Sequence, residues 1–111
     1  MFDRFRKPKP TSDIPVVVNR KGTTLRLDHC RAEHLEAGAR YSRRQASRAE
    51  TAATKKGGGE LRFQRAHRYY EIARFLDALA VELGPEKRVC DLRRTRLREV
   101  LASAERLRRE T

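Results

Sequence analysis

The chain of 111 residues has no tryptophan, one methionine, two cysteines, four phenylalanines and three tyrosines. Two cysteines, Cys30 and Cys90, cannot build a disulfide framework, so covalent staples do not hold the fold. No hydrophobic run approaches transmembrane length, and Met1 to Pro10 is charged where a signal peptide would be apolar. The expectation is a cytoplasmic, reduced protein with no membrane partner. Large apolar residues are scarce too. Leu, Ile, Val and Phe together number 23 of 111, close to the composition at which chains stop folding alone. Motifs that name a reaction are also missing. Gly57-Gly58-Gly59 is followed by Glu60 rather than Lys-Ser/Thr, so it is no phosphate-binding loop. His29, Cys30, His34 and Cys90 match no zinc spacing, and adjacent ligands cannot both reach one ion from a helix. The acidic residues mostly alternate with arginine at helical spacing, as solvated ion pairs do. These absences predict a non-enzyme without metal or cofactor.

What the chain does have is positive charge. The formal net charge is +12, and 21 of the 27 basic residues are arginine. Residues 1–27 carry a net +5, residues 28–59 +3, residues 60–84 zero and residues 85–111 +4. Arginine makes planar bidentate contacts to phosphate and stacks on bases, so polyanions, nucleic acid first, are the expected partners. A GC-rich genome would produce the same arginine bias, and solubility alone is the bland explanation of the charge.

The apolar residues that exist are concentrated. Fourteen of the 23 lie between Leu61 and Leu107, whereas His29 to Glu60 contains only Leu35. Glu60 to Leu83 reads as the central helix. Tyr69, Ile72, Leu76, Leu79 and Leu83 recur at three- and four-residue steps, and Ala73, Phe75 and Ala80 widen that stripe to a core-facing width. After it, Gly84-Pro85 stops one helix and starts another, predicted over residues 86–109, whose stripe is Leu97, Val100, Leu101, Ala104 and Leu107. The two are expected to pack antiparallel.

Upstream, residues 1–13 read as a flexible basic arm and residues 14–111 as one small domain. Ile14 to Leu27 reads as a β-hairpin with its turn at Asn19-Arg20-Lys21-Gly22, Leu25 and Leu27 facing inward and Arg26 outward. Asp28 is the expected N-cap of a helix over residues 28–56, with Gly38 expected to weaken or bend it and Gly57 to cap its end. Its Ser42, Ala46, Ala49 and Ala53 form a small-residue stripe that needs a partner, whether the central helix, a second subunit or nucleic acid. The fold class is therefore mainly α: three helices, an N-terminal β-hairpin and a basic arm.

The candidate nucleic-acid-binding residues fall in four groups. Arg40, Arg43, Arg44 and Arg48 cluster on the first helix. Arg62, Arg65 and Arg68 flank a second stripe on the central helix, Phe63, His67, Tyr70 and Arg74, where rings amid guanidinium groups suit base stacking. The alternative is that Phe63 and Tyr70 pack on the alanine-rich helix. Arg93, Arg94 and Arg98 form a patch on the last helix, and Arg20 and Lys21 sit at the hairpin tip. The expected function is non-catalytic nucleic-acid binding, DNA or RNA, by a small accessory or regulatory protein of bacterial, plasmid or phage type. A protein-interaction module is the alternative, a helical adaptor, inhibitor or assembly subunit that binds an acidic surface. A homo-oligomer or protein partner would then dock through helix 28–56.

The stretch Thr23 to Ala53 (TTLRLDHCRAEHLEAGARYSRRQASRAETAA) weakly resembles ribbon-helix-helix DNA-binding proteins in its order of strand, helix, Gly38 turn, Ser42 and helix. That resemblance implies a strand paired across a dimer in the major groove. It covers under a third of the chain, the first helix would be too short, and the second lacks the family's large apolar residues.

Overall fold

A computed structural model describes residues 9–56 and 59–109; the side chains of Lys56 and Arg62 lie outside what it describes. A hairpin of β1 (Pro15–Val17) and β2 (Thr24–Arg26) is followed by α1 (Ala32–Lys56), α2 (Gly59–Leu83) and α3 (Arg94–Arg109). The mainly α architecture with an N-terminal hairpin is the expected one. The first eight residues of the basic arm, and Gly57 as a cap, fall outside the described residues.

The hairpin forms where β-branched residues flank a turn. Val16 pairs with Leu25 in antiparallel register. At the tip the Asn19 side-chain oxygen accepts the N–H groups of Lys21 at 2.9 Å and Thr23 at 3.1 Å, and Gly22 takes φ 88°. That left-handed position is open to glycine at little cost. Residues 9–13 are tied to the domain. The Lys9 ammonium donates to the Cys90 carbonyl at 3.0 Å, and Arg26 Nε donates to the Ser12 carbonyl at 3.2 Å.

The long antiparallel pair is α1 with α2, each of 25 residues and about 37 Å long. Their seam is made of small side chains. Ala39, Ser42, Ala46 and Ala53 of α1 are buried, as are Ala66, Ala73 and Ala80 of α2. Side chains this small let two helix axes approach to about 8 Å, the short end of the normal range. The partner needed by the alanine stripe of α1 is thus α2. The stripe keeps its three- and four-residue step through Gly38, and α1 runs unbroken there rather than dividing into the two helices of a ribbon-helix-helix protein.

Gly38 has a different task. A Cβ on it would come within 2.6 Å of Val16 Cγ1 and 3.1 Å of Leu76 Cδ1, so its bare backbone is where β1 crosses α1. The larger core lies at this end of the helix pair. Val16, Leu27, Leu35, Leu76, Leu79, Leu83, Val89, Leu97 and Val100 are buried together there, with α3 running back along α2. Arg96 of α3 meets Glu82 of α2 through two hydrogen bonds of 2.7 and 2.8 Å. Beyond this head the α1–α2 pair continues outward as an arm. The molecule measures 63 × 25 × 22 Å with a radius of gyration of 16.0 Å, against about 13 Å for a compact chain of this length. No helix among the described residues is long and apolar enough to cross a membrane.

Two helix starts differ from expectation. Asp28 sits in a buried 3-10 turn, Leu27–His29, where its carboxylate accepts from Arg26 at 3.1 Å. The α1 helix opens later, where the His34 ring nitrogen accepts the Arg31 N–H at 3.1 Å, the part a Glu or Gln plays in a capping box. Residues 86–93 are not helical as a whole. Val89 is pulled into the core and its N–H donates to the Cys30 carbonyl at 2.9 Å, while Asp91 accepts the Arg88 N–H at 2.8 Å and closes a second 3-10 turn. Core demand for Val89 overrides the helix-starting signal of Pro85.

Two stability measurements follow. Gly38→Ala adds helix propensity worth about 1 kcal/mol, yet the stiff Val16 side chain cannot yield, and overpacking of this kind costs about 1–3 kcal/mol. A lower urea midpoint is expected; a higher one would show that β1 is free to lift off α1. The Arg96 hydrogen bonds and charge hold the Glu82 carboxyl below its ordinary value of 4.5, against the opposing pull of burial. A depressed folded value means stability that is present above the unfolded pKa and lost as pH falls through the folded one. Arg96→Gln should therefore cost a few tenths to about 1 kcal/mol near neutrality, as exposed pairs do, with the difference fading as pH falls through the lowered pKa of the folded Glu82 carboxyl. A difference that is constant with pH would assign the loss to packing of the arginine stem.

Candidate nucleic-acid interface

Helical phase decides which of the arginines share a surface. With the buried seam of α1 at one side, Arg44 lies opposite it, and Arg40 and Arg48 lie to either side of Arg44 one turn away. All three are exposed and none makes an ion pair among the described residues. Consecutive members rise by about 6 Å along the axis, so the three form a ladder about 12 Å long. Lys55 falls on the same outer face two turns further on, also exposed. Arg43 belongs to the flank instead. Its guanidinium is paired with Asp77 of α2 and serves the helix–helix contact.

That pair also fixes which sides of the two helices adjoin. Tyr70 and Phe63 precede Asp77 by one and two heptads, so the flank of α1 that carries Arg43 borders the side of α2 that carries them. Phe63 is 51% exposed, His67 and Arg74 are exposed, and Tyr70 is half-buried. Phe63 does not fill the seam; alanines do, which removes the alternative of Phe63 as the ring packed on α1. Val81, 85% exposed, continues the same stripe toward the head, and Leu61, 79% exposed, lies on the opposite flank. Neither was singled out from sequence, although Val81 is in phase with Phe63, Tyr70 and Arg74 rather than with the core.

Arg65 and Arg68 do not join that stripe. They sit with Leu61 and Tyr69 along a shallow depression on the other flank of α2. Arg68 also borders a second depression with Phe63, His67 and Glu71, where His67 and Glu71 pair at 3.1 Å. Glu60 and Glu71 make this surface mixed in charge. Arg62 lies outside the described side chains. Arg94 and Arg98 are exposed one turn apart on α3, and Arg93 precedes the helix, its carbonyl accepting the Leu97 N–H at 2.8 Å. Arg20 and Lys21 project from the hairpin tip. The structure thus divides the candidate residues into an unpaired ladder on α1, an aromatic stripe beside it, and smaller basic groups on α2, α3 and the tip.

The cysteines and histidines take no common site. Cys30 is fully buried, and burial with the nearby Asp28 charge pushes its thiol up to about 12. A thiol held protonated is neither nucleophile nor metal ligand. His34 is spent on capping Arg31, and no group of three or more His, Cys, Asp or Glu side chains among the described residues is placed to hold a metal ion. Cys90 is half-buried. A thiol reagent at pH 8 should modify one cysteine per folded chain, Cys90, and two only after denaturation; prompt double modification would contradict the burial of Cys30. Comparison with protein-family models, curated proteins and solved structures finds no match for this chain.

Proposed function

We propose that the protein binds nucleic acid through the outer face of its helical arm, as a non-catalytic accessory or regulatory protein of the cytoplasm. The observation that carries this reading is the ladder Arg40, Arg44 and Arg48. Like charges one turn apart destabilise a helix by a few tenths of a kcal/mol per pair, about 0.2–0.5. Arg44 has an arginine on both sides at that spacing and no acidic neighbour to offset it. A phosphate backbone laid along the ladder relieves that repulsion and releases condensed counterions. The stripe Phe63, His67, Tyr70 and Arg74 adjoins it and offers rings and a guanidinium to unpaired bases. Arg65, Arg68, Arg93, Arg94, Arg98, Arg20 and Lys21 widen the positive field.

A second reading rests on Leu61, Phe63 and Val81, large apolar side chains left in solvent. Such residues suit a protein partner with an acidic, partly apolar surface. Docking through the alanine stripe of α1 is not the form this takes, because α2 covers it.

The test is fluorescence anisotropy with labelled single- and double-stranded DNA and RNA across a salt series. Binding should persist near physiological salt and favour one form. Replacing Arg40, Arg44 and Arg48 together with Gln should weaken it and flatten the plot of log affinity against log salt by about two to three units, with helicity unchanged. Weak binding at low salt only, equal for every polymer and indifferent to the triple variant, would overturn the reading and favour the protein partner.

A further inference from the structure

The open side of α2 carries a stripe whose spacing reads the same from either end. Phe63, His67, Tyr70, Arg74, Asp77 and Val81 follow one another at steps of four, three, four, three and four residues. That is the heptad spacing of a coiled-coil seam, here about 27 Å long. Its two ends, Phe63 and Val81, are large apolar residues left in solvent. Leu76, Leu79 and Leu83, buried in the head, point to the other side of α2. The head therefore leaves the stripe uncovered.

We propose that this stripe is the interface of a homodimer, in which α2 packs antiparallel on α2 of a second copy. Turned end for end about the level of Ile72, Phe63 meets the partner's Val81, His67 the partner's Asp77, and Tyr70 the partner's Arg74. Each meeting occurs twice and each is complementary: apolar with apolar, imidazole with carboxylate, ring with guanidinium. No existing pair has to break. Arg43 lies on Oδ2 of Asp77 and Glu71 on Nε2 of His67, which leaves Oδ1 and Nδ1 uncommitted among the described residues. Arg74 is exposed and makes no ion pair among them. Parallel pairing is disfavoured by the same residues, because it sets Arg74 on Arg74 and Asp77 on Asp77. An acidic protein would meet Asp77 and Glu71 on this side, so the stripe fits its own copy better. The like-charged meeting that remains is Glu71 with the partner's Glu71 near the two-fold axis, each already paired with His67 at 3.1 Å. Because α2 is folded on α1 beforehand, no helix has to form on association. A seam this polar gives a weak dimer, with a dissociation constant of about 10–100 µM. The dimer leaves Arg40, Arg44 and Arg48 open, since they lie across α1 from α2, but it closes the rings to bases.

Sedimentation velocity of the full chain from about 2 to 200 µM tests this, and the mass should climb from monomer toward dimer. Phe63→Glu or Val81→Glu, each at an exposed position, should weaken the dimer at least about tenfold with helicity unchanged. Phe63→Glu combined with Val81→Lys in one chain should restore it, because the antiparallel register sets each new carboxylate against a new ammonium. A parallel register would set like charges together instead. A monomer at every concentration overturns the proposal. So does a dimer that both glutamate variants leave intact. Failure of the combined variant to regain what Phe63→Glu loses overturns it too.

Discussion

The close approach of α1 and α2 is the constraint on which the rest of the structure depends. With so few large apolar residues, this chain cannot hold two 25-residue helices together by bulk. It does so by proximity. Alanine and serine at alternating three- and four-residue steps bring two helix surfaces into dispersion contact along their length, and little side-chain entropy is lost in doing so. The same choice explains the scarcity of leucine in α1. A leucine at Ala46 or Ala53 would push the axes apart, since buried positions of 0% and 4% exposure leave no room for one.

Proximity stabilises less per residue than bulk does, and the consequence is a gradient along the molecule. At the head, the helix pair is covered by the β-hairpin and α3, and buried leucines and valines surround it. Gly38 lets β1 lie directly on α1, which ties the hairpin into that core. Toward the far end, among the described residues, only Ala53 and Ala66 remain buried in the seam. That end should open first in local unfolding, because few apolar contacts protect its backbone. Phe63 and Leu61 sit there, near the end of α2 that is least held.

Legibility from sequence follows the strength of the local signal. The central helix was readable because bulky residues mark its core face at helical steps. The second stripe, Phe63 to Arg74, is readable for the same reason, and the alanine seam of α1 leaves Phe63, His67 and Arg74 exposed, with Tyr70 half-buried. The helix starts are not legible where a local signal competes with a tertiary one. Asp28 has the chemistry of an N-cap, but Leu27 and Cys30 on either side of it belong in the core, so the carboxylate turns to Arg26. Pro85 suits a first helical position, but Val89 has to reach the Cys30 backbone. In sequence alone Gly38 reads as a weak point of the helix, because a sequence does not reveal that a strand crosses there. The apolar cavity beside it, lined by Ile14, Ile72, Phe75 and Leu107, is beyond reach from sequence for the same reason, since segments distant in the chain build its walls.

The division of the arginines follows from the seam as well. A helix that buries only a narrow alanine stripe leaves most of its circumference in solvent, and that surface must carry charge for the chain to stay soluble. Charge alone would be served by alternating signs, as the pairs Arg43 with Asp77, Arg96 with Glu82 and Arg96 with Glu99 show elsewhere on the molecule. On the outer face of α1 the alternation stops at Arg40, and Arg44 and Arg48 follow without an acidic partner. A solubility requirement does not produce that break, since glutamate at one of these positions would keep the surface charged and add stability to the helix. The unbalanced ladder is the place where this chain gives up helix stability, and under the proposed function a bound polyanion would return it.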